Sequence, residues 1–119
     1  MPRRRRPDPL AQQVGERIRA LREEAGYTLE KLGWSDDEQE RSGKGHLSNL
    51  ERGLAIPTVR TLQVLADRLG VELVDLVNFP ASNDRAKLIE LTRKLPAGTI
   101  KRLVKEIEGA RPRPRRRRL

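Results

Sequence analysis

The residues best suited to chemistry cluster in one stretch, Gly43-Lys44-Gly45-His46-Leu47-Ser48-Asn49-Leu50-Glu51-Arg52-Gly53. Lys44, His46, Ser48, Asn49 and Arg52 offer hydrogen-bond donors, and the glycines and the serine take little room. That chemistry is recognition rather than catalysis. Asparagine pairs bidentately with adenine, arginine or lysine with guanine, and small residues allow close approach to a groove. On composition alone the same residues also describe an ordinary solvated face. Nothing catalytic stands beside them. His46 is the only histidine, cysteine is absent, and no glycine loop suited to cradling phosphate occurs. Neither an enzyme nor a metal or cofactor site is expected.

The stretch must be held by helices. Leu47, Leu50 and Leu54 recur at helical spacing, so one side of a short helix over 44–52 faces a core. Ser42 suits its N-cap and Gly53 a left-handed stop. Glu51 lies four residues after Leu47, on the edge of the apolar side, where an unpaired carboxylate is costly. It needs a cation from another helix. Upstream, Asp8 and Pro9 open a first helix whose face is Val14, Ile18, Leu21 and Ala25, and Gly26 ends it. Arg22 sits beside that face and is the expected partner of Glu51. Thr28 caps a second helix through Trp34. Beyond Pro57, Thr58 caps a fourth helix with Val59, Leu62, Leu65, Ala66 and Leu69 inward, stopped by Gly70. Residues 71–77 form a short fifth, and 78–83 a turn-rich linker.

The order apolar-Ser-x-apolar-Glu-Arg-Gly and then Pro, set among four other short helices, resembles the helix-turn-helix domain of the lambda-type repressor and Cro family, sometimes called XRE-like. The resemblance covers roughly residues 14–78. It implies an all-α fold in which an arginine of the first helix pairs with the glutamate of the third, here Arg22 and Glu51. It also implies a third helix that reads double-stranded DNA. Lys44, Gly45, His46 and Asn49 are then expected at base edges, with Thr28, Ser48 and Arg52 at the sugar–phosphate backbone. Leu29 departs from the polar residue the family usually carries, which places that helix's phosphate contact on Thr28 and the first N–H groups. The run from Gly33 to Ser48 is longer than the family's tight turn and contains an acidic insert, 35–41, that must loop away from phosphates or serve another contact.

Past residue 79 the resemblance to the minimal domain stops. Leu88, Leu91 and Leu95 stripe one amphipathic segment, Pro96-Ala97-Gly98 breaks it, and Ile100, Leu103, Val104 and Ile107 stripe another. Two such short helices cannot bury their stripes alone. Self-association as a homodimer is the favoured expectation for 84–109; packing back onto the same chain and binding another protein remain open.

Length and charge bound the rest. The chain of 119 residues holds one small domain with extensions, is only 35% apolar, and carries a net charge of +9. Ten arginines, Arg3, Arg4, Arg5, Arg6, Arg111, Arg113, Arg115, Arg116, Arg117 and Arg118, lie in the two tails. Without them 16 of the 26 basic residues face 17 acids, a body near −1. The tails cannot bury surface, are expected to be disordered when free, and read as arms for a polyanion. The expected divisions are an arm at 1–7, a DNA-binding domain at 8–79, an extension at 80–110 and a tail at 111–119. The arginine-rich start is not followed by an apolar run, and no stretch is long enough to span a membrane, so a cytoplasmic, nucleoid-associated protein is expected. With Tyr27, Trp34 and Phe79 as its only aromatics, single-stranded RNA binding is disfavoured.

These features describe an all-α, sequence-specific DNA-binding transcriptional regulator, a repressor and a homodimer, with no small-molecule ligand in evidence. Two rivals differ in class. One is a protein-binding module, such as an antitoxin or adaptor, that uses 84–109 and the acidic insert. The other is a sequence-indifferent architectural protein acting through its tails.

Overall fold

The computed structural model describes residues 6–33 and 44–110, without the side chain of Lys44. Expectations for Arg3 to Arg5, Trp34, the insert 35–41, Ser42 and the arginines from Arg111 onward therefore lie outside the described residues. Among the described residues every regular element is a helix: α1 (Pro9–Glu24), α2 (Leu29–Leu32), α3 (Lys44–Glu51), α4 (Val59–Leu69), α5 (Leu73–Leu76), α6 (Asp84–Arg93) and α7 (Ala97–Gly109).

Local chemistry sets the ends of these helices. The Asp8 carboxylate accepts from the Ala11 N–H at 2.9 Å, with Pro9 in the first helical position. Thr28 and Thr58 cap α2 and α4 in the same way, through the N–H groups of Lys31 and Thr61. A left-handed Gly70 at φ 71° closes α4. Helix α5 opens on a reciprocal capping pair, Glu72 and Asp75.

Ile18, Leu32, Leu47, Leu50, Leu65 and Leu76 are fully enclosed, one or more from each of the first five helices. Val14, Leu21, Leu62, Ala66 and Leu69 complete the core around them. Each large aliphatic side chain buried in this way contributes about 1.5–3 kcal/mol. Three residues expected in the core are outside it. Leu54, past the end of α3, is half-buried and does not join the cluster. Ala25 is the exposed C-cap of α1. Val59 is 72% exposed, because a first-turn side chain leans toward the N-terminus and projects past the end of its neighbours.

The extension departs further from the periodic reading. Helix α6 turns Ala86 inward, not its leucine stripe, and Leu88 and Leu91 are exposed. Polar contacts hold it. Asn78 Nδ2 donates to the Ala86 carbonyl at 2.8 Å, Arg17 pairs with Glu90, and Arg93 and Lys94 both reach Glu24, at 2.9 and 2.6 Å. Helix α6 thus packs back onto its own chain, while α7 has no buried side chain. No helix among the described residues is long and apolar enough to cross a membrane.

Candidate nucleic-acid interface

Helix α3 is pressed against α1 by a contact that admits no side chain. A Cβ at Gly15 would lie 2.3 Å from the Leu50 carbonyl oxygen and 2.6 Å from that of Glu51. One turn beyond, Gly53 adopts φ 74°, and a Cβ there would lie 2.7 Å from the Gln12 Cα. The C-terminal end of α3 therefore runs backbone against backbone over the first half of α1. Glycine inside a helix costs about 1 kcal/mol relative to alanine, so Gly15 was a visible signal of close approach that periodicity alone passed over.

Two turns further along α1 lies the ion pair. Arg22 Nε donates to Glu51 Oε2 at 2.7 Å and Nη2 to Oε1 at 3.0 Å, a two-pronged match of planar groups. Its Nη1 donates to the Tyr27 carbonyl at 2.8 Å. The two side chains are only 11% and 7% exposed. The hydrogen bond donated to Glu51 raises the Arg22 pKa further above its already high value, against an opposing effect of burial. The guanidinium so ties α1, the turn before α2, and α3 into one unit. Tyr27 contributes its backbone to this unit, while the residue itself is 38% exposed.

With Leu47, Leu50 and Glu51 turned inward, the opposite side of α3 is determined by the helical pitch. Gly45, Asn49 and Arg52 are exposed and follow one line at i, i+4 and i+7; His46 and Ser48 are half-buried on its two edges. No described residue comes within 4 Å of where a Cβ at Gly45 would lie. Thr28 is exposed at the start of α2, with its hydroxyl capping the helix. Arg6, at the described start of the N-terminal arm, is exposed as well. A helix face of donors, standing free on a rigid seam, suits insertion into a groove of about α-helical width.

A second buried arginine escaped the sequence reading. Arg17 Nε donates to the Asp75 carbonyl at 2.7 Å, and its Nη1 pairs with Glu90. It joins α1 to α5 and α6 on the side of α1 away from α3. Its position between Val14 and Ile18, on the edge of an apolar stripe, called for a partner by the argument used for Glu51. Hydrogen bonding from Arg17 holds the Glu90 carboxyl below its usual range, and hydrogen bonds from Lys94 and Arg93 do the same for Glu24. Clefts line this side, one of them between Arg17, Leu21, Glu24, Glu90 and Arg93. No cluster of histidine, aspartate or glutamate among the described residues is arranged to hold a metal ion.

Comparison with known proteins agrees with this architecture. A helix-turn-helix family model matches residues 18–76, which span the Arg22–Glu51 pair and the whole of α3. The chain is 46% identical over 66 residues to a protein of Sinorhizobium fredii described as the uncharacterized HTH-type transcriptional regulator y4dJ. That match takes in 54% of this chain and 78% of the relative. No solved structure matches the chain. A bidentate Arg22–Glu51 clamp, a donor-lined α3 and these matches together assign the chain to the helix-turn-helix family of the lambda-repressor and Cro type.

Proposed function

We propose that the protein is a DNA-binding transcriptional regulator, a repressor that occupies its operator as a homodimer. The observation that carries this reading is the exposed line Gly45, Asn49 and Arg52 on a helix whose inner side is clamped to α1. The name of the Sinorhizobium relative, a transcriptional regulator, supports it. Helix α3 enters the major groove. Lys44, Gly45, His46 and Asn49 meet base edges, and Thr28, Ser48 and Arg52 meet the backbone. The arginines of segments 1–7 and 111–119 neutralise flanking phosphates, and the protein works in the cytoplasm on the nucleoid. Residues 8–79 are the reading domain and 80–110 the extension that governs assembly.

Selection from a pool of random double-stranded DNA tests the reading. The expected result is an enriched two-fold sequence with half-sites about 10 base pairs apart, one helical turn. A pool that stays random despite binding would point to the architectural alternative and remove sequence-specific regulation.

A further inference from the structure

Helix α7 carries an apolar stripe and a set of charges that nothing described here uses. Val104 is 46% and Ile107 62% exposed, Ile100 and Leu103 are half-buried, and no α7 side chain is enclosed. Lys101, Arg102, Lys105, Glu106 and Glu108 make no ion pair with other described residues. Three charges at the end of α6, Glu90, Arg93 and the C-cap Lys94, are by contrast committed to partners.

Their placement is ordered. On a pitch of about 3.6 residues per turn, Ile100, Leu103, Val104 and Ile107 form one stripe. Lys101 and Glu108, seven residues apart, lie along one edge of it. Glu106 lies along the other edge, with Arg102 further round.

We infer that this stripe is covered by the α7 stripe of a second copy of the chain, the two helices antiparallel about a two-fold axis near Leu103 and Val104. An antiparallel two-fold sets each edge against the same edge of its mate, running the other way. Lys101 then meets Glu108 of the partner subunit, and this pair occurs twice. On the other edge Arg102 approaches Glu106 of the partner subunit. A parallel pair sets opposite edges together at equal height, and Glu108 falls beside Glu106 of the partner subunit. Lys105, further round past the first edge, approaches Lys101 of the partner subunit, one like-charge contact against two attractive ones; a parallel pair reverses that balance, so the charges favour the antiparallel orientation.

Helix α7 is only about 20 Å long, and a standard interface buries about 800 Å² per partner. The exposed Leu88 and Leu91 of α6 extend the apolar surface, but the pairing is of moderate strength and depends on concentration. It rests on the proposed two-fold reading of DNA, in which two half-sites bound together reinforce it.

Sedimentation velocity of the full chain over a concentration series tests the pairing. The wild type should pass from monomer to dimer. Val104→Glu, which buries a charge in the seam, should raise the dimer dissociation constant by more than about tenfold. Lys101→Glu and Glu108→Lys alone should each raise it by about three- to tenfold. The double exchange should return it to within about twofold of wild type. A wild type that stays monomeric, or a dimer indifferent to Val104→Glu, overturns the interface. Failure of the double exchange to rescue overturns the antiparallel orientation. Unchanged thermal unfolding by circular dichroism checks that Val104→Glu remains folded, and if it does not, the charge exchange decides. Failure to enrich any DNA sequence while the charge exchange still rescues the dimer would remove the DNA reading and leave the pairing standing.

Discussion

Arg22 holds both carboxylate oxygens of Glu51 across 29 positions of sequence, at 2.7 and 3.0 Å, while its third nitrogen holds the Tyr27 carbonyl. Every nitrogen of the guanidinium is thereby engaged in a setting nearly closed to water. Glu51→Ala removes two of the three partners and leaves the cation enclosed. The expected loss is on the order of 3 kcal/mol, as for other broken buried pairs. A shift of the midpoint in chemical denaturation measures it, and a midpoint equal to wild type would show that solvent takes over the role of Glu51.

Gly15→Ala tests the seam itself. The added methyl would fall 2.3 Å from the Leu50 carbonyl oxygen, and backbone cannot swing aside as a long side chain can. Overpacking of this kind costs about 1–3 kcal/mol, which outweighs the gain in helix propensity. Alanine at Gly45, where no described residue lies within 4 Å of the added methyl, should leave stability unchanged or slightly raised. Paired denaturation curves of the two variants would refute the seam if they shifted alike.

The acid and salt response of α6 follows from its polar attachment. Glu24 and Glu90 are held below their ordinary 4.5 by cationic partners. A carboxyl whose folded pKa is depressed stabilises the docked state above the unfolded value, and that stability is lost as pH falls through the folded value. Helix α6 should therefore loosen as acid titrates these carboxyls below their ordinary range, and earlier in high salt, since partly exposed pairs are screened. Amide exchange should show protection falling in α6 before α3 or α4. Simultaneous loss in all three would mean that the extension and the domain melt together.

Asn49→Ala addresses specificity. It should weaken binding to a selected site by about 1–3 kcal/mol and leave random DNA almost unaffected. Competition titrations against both DNAs decide. An equal fall on both would make Asn49 a backbone contact.

The role proposed for the arms rests on charge alone. Each neutralised phosphate adds about 0.9 to the slope of log affinity against log salt. With half of the ten tail arginines engaged, deletion of 1–7 and 111–119 should flatten the slope by roughly 4–5 per chain. An unchanged slope would assign the tails to another partner.

Much of this architecture was legible residue by residue. The caps at Asp8, Thr28 and Thr58 and the stop at Gly70 are interactions within a single turn, so identity and spacing suffice to place them. Leu47, Leu50, Leu62, Leu65 and Leu69 were readable as inward because pitch alone assigns a face. Glu51 was conspicuous because a carboxylate beside an apolar stripe demands a cation, and Arg22 answered that demand. What needed the tertiary structure was the relative placement of whole helices. Periodicity marks a face but not how far along a neighbour it runs, so Ala25 and Val59 were assigned to a core that ends short of both. The α6 leucines outlined a stripe, yet Ala86 faces inward, because Arg17 and Glu24 of α1 and Asn78 after α5 offer α6 ion pairs and a hydrogen bond that no local pattern encodes. Gly15 beneath the Leu50 carbonyl belongs to the same class: its meaning lies in a distance between two helices, and only the packed chain sets that distance.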